Sequence, residues 1–181
     1  MVRAPIAFCG THDNFGRMRI ATIILTLLSF SCGEKDAGLC DRYFEPYGDI
    51  ISGRRAVMQK DNTYVNAMRL YSEGRFDLAA DSLGTYIQHR GYEKSAHLYL
   101  AMCLLVMDLP YDAELQLDHL ENSRLKDFRD QTEWYTLLCW VCSDQLDRAI
   151  VEAARIAGAK HHTYKMEAQR LAADLERIAG K

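Results

Sequence analysis

Proline is scarce in this chain. There are 3 in 181 residues, and from Asp61 onward only Pro110 remains. Long helices are therefore permitted over most of the sequence. A surplus of either charge is also lacking: 22 Lys and Arg stand against 25 Asp and Glu, for a net charge of −3. A nucleic-acid binder would carry a basic excess or a basic stripe, so that class is set aside. The uncharged apolar run Ile20–Phe30 falls short of the about 20 residues that a membrane-spanning helix needs. Motifs of common catalysis are missing too. There is no G-x-S-x-G, no P-loop and no G-x-G-x-x-G. His161-His162 has no H-E-x-x-H or other ligand set beside it and reads as a solvated helix start. The acidic residues are scattered over helix faces, where they solvate the surface.

What is present is a spacing. Gly74-Arg75-Phe76-Asp77-Leu78-Ala79, Asp108-Leu109-Pro110-Tyr111-Asp112-Ala113 and Asp144-Gln145-Leu146-Asp147-Arg148-Ala149 each end one helical pattern and begin another. Their alanines lie 34 and then 36 positions apart. Tyr64, Ala67, Met68, Leu70 and Tyr71 recur at helical spacing and stop at Gly74, a natural helix C-cap. Phe76, Ala79, Ala80, Leu83, Tyr86 and Ile87 return. The second pair is Ala96–Val106 with Ala113, Leu115, Leu117 and Leu120. The third is Trp134–Val141 with Leu146, Ala149, Ile150, Ala153 and Ile156. A last amphipathic helix carries Tyr164, Ala168, Leu171, Ala172, Leu175 and Ile178 on one side and Lys165, Glu167, Gln169, Arg170, Glu176 and Arg177 on the other.

The N-terminal residues 1–31 read as a targeting segment. Arg17 and Arg19 precede the apolar run, whose length suits a signal-peptide core. Met18 is the more natural start, which makes Met1–Arg17 an upstream extension outside the fold. Ser31-Cys32-Gly33 follows the run and resembles a bacterial lipobox, although Ser29 stands where an aliphatic residue is usual. That resemblance implies cleavage before Cys32, acylation of its thiol and attachment to a membrane of the bacterial cell envelope, facing the periplasm. A plain signal peptide is the alternative. Residues 32–60 then form a linking segment. Within it, Tyr43-Phe44-Glu45-Pro46-Tyr47 is too aromatic for a free tether, which would be Gly/Ser-rich or charged. It is expected to dock on the body.

Six cysteines are present. Cys40, Cys103, Cys139 and Cys142 remain after processing at Cys32, and four cysteines in an exported chain could form disulfides. Cys139-Trp140-Val141-Cys142 has C-x-x-C spacing, but it falls in mid-helix, away from the N-terminus that lowers a redox thiol's pKa. Cys139 and Cys142 are therefore expected to be reduced or unreactive core residues that hold no metal.

Residues 61–181 resemble the tetratricopeptide family. Ala67, Ala101 and Leu137 occupy its small position on the first helix. Ala79, Ala113 and Ala149 occupy the close contact on the return helix, followed by Leu83, Leu117 and Ala153, then Tyr86, Leu120 and Ile156. The family's terminal proline is absent from all three units. Tyr-Phe-Glu-Pro-Tyr before the array, Trp134-Tyr135 and His162-Thr163-Tyr164 are similar to small exported bacterial repeat proteins, mostly of unassigned function.

The resemblance implies an all-α fold, a right-handed α-solenoid of about three helix–turn–helix repeats closed by a C-terminal capping helix. It also implies a partner groove on the first helices, lined by Tyr64, Met68, Tyr71, Leu98, Met102, Leu105, Trp134, Leu138 and Val141. Such arrays bind other chains. The expectation is a non-catalytic adaptor, without cofactor, for a peptide or protein of the cell envelope. The alternative is a structural accessory subunit whose groove is filled by its own Tyr43, Phe44 and Tyr47.

Overall fold

The described residues form a row of helices, most of them laid against the next in sequence. The computed structural model describes residues 38–53, 61–90, 93–122 and 127–180. The expected signal segment and lipidation site, residues 1–31 and Cys32, lie outside the described residues. Eight helices and no strand occur among those described: α1 (Leu39–Tyr43), α2 (Asp61–Ser72), α3 (Phe76–Arg90), α4 (Ser95–Val106), α5 (Pro110–Glu121), α6 (Arg129–Cys142), α7 (Leu146–Gly158) and α8 (Lys165–Ala179). The fold is all-α. From α2 to α8 every helix packs on its successor, and α1 packs on α6.

The three expected turns share one geometry. Gly74, Asp108 and Asp144 all take left-handed backbone, with φ of 74°, 60° and 57°. At each turn the next amide reaches back to a carbonyl five residues earlier: Arg75 to Leu70, Leu109 to Leu104 and Gln145 to Trp140, at 2.9, 2.9 and 2.8 Å. The left-handed residue itself bonds three back, to Tyr71, Leu105 and Val141. This double closure satisfies helix-end carbonyls that would otherwise be orphaned. Glycine takes that conformation freely, and Asp is among the few other residues that adopt it. The return helix starts at once, with the amides of Ala79, Ala113 and Ala149 bonded to the carbonyls of Arg75, Leu109 and Gln145.

Those three alanines are fully buried, as are Leu83, Leu117, Ala153 and Ile156. Leu115 and Ile178, expected on the apolar faces, are instead 57% and 41% exposed. On α5 the buried set is Ala113, Leu117 and Leu120, spaced i, i+4 and i+7. Leu115 points about 160° away from that stripe at about 100° per residue. Ile178 stands at the last turn of α8, beyond its buried Ala168, Leu171 and Leu175.

Ala113→Leu should overpack its contact and lower stability by about 1–3 kcal/mol. Urea denaturation followed by circular dichroism would read this. An unchanged midpoint would mean that the helices are not held close at Ala113.

Candidate functional site

All nine side chains expected to line the groove are buried; Tyr64, at 6%, is the most exposed of them. Part of the cover is intramolecular packing. Trp134 stacks on Tyr164, just before α8, with ring centroids 5.3 Å apart and 5° between planes. Tyr64 stacks on Tyr86 at 5.0 Å and shares a 2.7 Å hydrogen bond with Ser95. The strap, residues 39–51, also lies on this core, with Tyr43, Phe44 and Tyr47 packed on it and Ile51 inside it.

The strap has no strand partner, so its carbonyls need donors from elsewhere. Tyrosines of the first helices supply them. Tyr71 on α2 donates to the Tyr47 carbonyl at 2.6 Å. Tyr99 on α4 donates to the Gly48 carbonyl at 3.1 Å and accepts from the Ile50 amide at 3.2 Å. Tyr135 on α6 donates to the Glu45 carbonyl at 2.8 Å. Ring contacts accompany these bonds: Phe44 meets Tyr135 edge-on at 6.4 Å, and Tyr47 lies 6.0 Å from Tyr99. Burial drives the phenols of Tyr71 and Tyr135 far above their ordinary pKa, so they stay protonated donors. Asp49 Oδ1 closes the strap's end by accepting from the amides of Ile51 and Ser52.

The other end is covalent. Cys40 on the strap is joined to Cys142 at the end of α6, at a sequence separation of 102. This corrects the expectation that Cys142 is an unreactive core thiol. Cys139, one turn earlier, is fully buried. Cys142 is only partly buried and sits where α1 packs on α6. Cys103 and Cys139 are free and buried. Burial pushes the Cys103 thiol up to about 12. Cys139 goes higher, through burial first and then the nearby Glu114. Both are poor nucleophiles. Beside the bridge, Arg42 and Tyr43 each reach Asp174 on α8 at 2.9 Å.

Tyr99 and Tyr135 fell outside the expected groove residues, each one position past an expected one, Leu98 and Trp134. They stand 36 apart, the same interval that separates Ala113 from Ala149. That shared interval was the signal that marks them as equivalent positions.

A cleft of about 270 Å³ opens between α5, α6 and α7, lined mainly by charged side chains. Its carboxylates are largely paired. Glu114 accepts from the Trp140 indole at 2.7 Å and meets Arg148 at 3.2 Å, with that guanidinium 4.1 Å over the Trp140 ring. Arg155 bridges Glu133 and Glu152, and Arg129 reaches Glu133 at 2.7 Å. Burial acts to raise the Glu133 pKa, but the hydrogen bonds from Arg129 and Arg155 outweigh it and hold the carboxyl below its usual range. Ion-paired carboxylates of this kind tie helices together and are unsuited to proton transfer.

His162 departs from the solvated start expected of it. Its side chain is 3% exposed. Nδ1 accepts from the Tyr164 amide at 3.1 Å, which leaves the proton on Nε2. Nε2 lacks a hydrogen-bond partner and sits 3.5 Å from Glu133 and 3.9 Å from Asp130. His161 is exposed. Among the described residues, no three His, Cys, Asp or Glu side chains are arranged to hold a metal ion, and no helix is long and apolar enough to cross a membrane.

Comparison with protein-family models, with curated proteins and with solved structures finds no match for this chain.

Proposed function

We propose that this protein is a tetratricopeptide-like solenoid of three repeats capped by α8, held at the bacterial envelope by a lipid on Cys32. In this reading it serves as a non-catalytic accessory subunit of a larger envelope complex. The observation that carries the reading is the strap: Tyr71, Tyr99 and Tyr135 clamp it across the first helices, and the groove where such arrays seat a partner is already full. A partner then meets other surfaces, such as the outward faces of α5 and α7, where Tyr111, Leu115 and Val151 are 65%, 57% and 69% exposed. The three identical turns support the repeat assignment.

The adaptor reading, with a peptide in the groove, is favoured by one detail. The tyrosine hydroxyls address main-chain carbonyls, which any extended segment presents.

Native electrophoresis of gently solubilised membranes tests the accessory role. Wild-type protein should fractionate with membranes and migrate in an assembly well above its own mass. Cys32→Ser should shift it to the soluble fraction, because stable anchoring needs acyl chains. Wild-type protein running alone at its own mass would overturn the accessory role. Unchanged membrane association of Cys32→Ser would overturn the anchor.

A further inference from the structure

We propose that the Cys40–Cys142 disulfide is a redox latch on a peptide-binding groove: when a dithiol reduces it, the strap leaves, and the face of α2, α4 and α6 takes an extended, aromatic-bearing peptide in its place. The inference rests on the self-filled groove of the proposed function and adds a ligand class and a control to it.

The strap already shows what the groove recognises. Polar recognition runs through three hydroxyls to the carbonyls of Glu45, Tyr47 and Gly48. Main-chain recognition of an extended segment, with pockets for its side chains, is a recurring mode of peptide binding. Here Ile51 enters the core, and Phe44 and Tyr47 pack against it. A ligand must therefore be extended and carry aromatic or large aliphatic side chains at similar intervals. The strap is such a peptide, bound in cis.

The N-terminal end of the strap depends on the bridge. α1 has five residues, no side-chain cap and no buried residue, so it cannot persist by itself. The neighbouring ion pair, Arg42 to Asp174, has side chains 44% and 22% exposed, and exposed pairs hold weakly. The strap runs on in sequence to α2, and the bridge fixes its other end as well; a segment held at both ends has a higher effective concentration over the groove than one held at a single end, and so excludes competitors better. Cys40 and Cys142 are both only partly buried. Cys139, one turn from Cys142, is sealed in the core, so the bridge is not exchanged from within.

The chemistry is thiol–disulfide exchange. A thiolate of a dithiol reductant attacks one sulfur of the bridge and the S–S bond breaks. The departing sulfur takes a proton. The reductant's second thiol then resolves the mixed disulfide and yields the other protein thiol. Two electrons enter Cys40 and Cys142, and the reductant becomes a disulfide.

The test uses the full folded chain and a fluorescein-labelled synthetic peptide of residues 41–51. Hydrogen exchange of the strap amides and fluorescence anisotropy of the peptide are recorded for oxidised protein, for protein reduced with dithiothreitol and for protein reoxidised. On reduction, strap amides should exchange at least tenfold faster and peptide affinity should rise at least tenfold. Both changes should reverse on reoxidation. Cys40→Ser with Cys142→Ser should behave as the reduced form under oxidising conditions. Equal strap protection in both states overturns the latch, as does loss of helical circular dichroism on reduction, because the bridge is then a staple. A freed strap without peptide binding overturns the ligand assignment. So does a strap-exchanged dimer that refuses the peptide. None of these outcomes depends on whether the protein migrates in an envelope assembly, so the two proposals fail separately.

Discussion

Tyr99→Ala is expected to lower the unfolding free energy by about 3–5 kcal/mol, the range for removing a fully buried aromatic ring. Tyr99 has no solvent exposure. Its ring meets Tyr71 edge-on at 5.1 Å and Tyr47 at 6.0 Å, so α2, α4 and the strap converge on it. Its hydroxyl links the Gly48 carbonyl and the Ile50 amide. Truncation removes packing on both layers and two strap bonds together. Tyr99→Phe separates the contributions. It keeps the ring and deletes the hydroxyl, at a cost of about 0.5–1.5 kcal/mol. Urea unfolding of the three proteins reads both effects. Tyr99→Ala within about 1 kcal/mol of wild type would mean that the strap and α4 are not packed through this residue.

The second large effect belongs to the bridge. Replacing Cys40 and Cys142 together with serine should cost about 2–4 kcal/mol, because the crosslink closes a loop of roughly 100 residues in the unfolded chain. Domains of ordinary stability hold about 5–15 kcal/mol in reserve, so the double variant should still fold. Adding reductant to wild-type protein should lower its urea midpoint to that of the variant and leave the variant unmoved. A midpoint insensitive to both changes would show that the crosslink constrains nothing in the unfolded chain. The two predictions touch different ends of the strap. Their costs are expected to add only in part, since both free the same segment.

The helices were legible because their signals are local. Gly74, Asp108 and Asp144 mark the ends of first helices by backbone preference, and the alanines five residues on mark the close contacts. Both recur at nearly the same spacing along the chain. Burial of the nine groove residues was legible only as one of two alternatives, since an apolar helix face reads the same under solvent, partner or strap.

The crosslink was hidden for a different reason. Cys142 shares a C-x-x-C with Cys139, and the pattern drew attention to the wrong neighbour; its partner lies 102 residues away in a segment without periodicity. Tyr99 and Tyr135 looked like core aromatics, and their rings are core. Their hydroxyls act, and no sequence period reports the direction of a phenol. His162 sits at a turn, where exposure is the ordinary expectation. It lies beside Asp130 and Glu133, which come from another helix.

Helices that pack chiefly on their sequence neighbours unfold like a zipper, with the ends fraying first. The strap changes that behaviour. Its hydrogen bonds span sequence separations of 24, 51, 90 and 131 residues, to α2, α4, α6 and α8 in turn. A segment bonded to alternate helices along the row couples them, so α2 and α8 share one opening event. Such long-range closure slows folding, because distant parts of the chain must meet before the contacts form. In return, the terminal helices acquire the protection of the middle ones, and a short chain of otherwise neighbour-to-neighbour contacts melts as a single cooperative body.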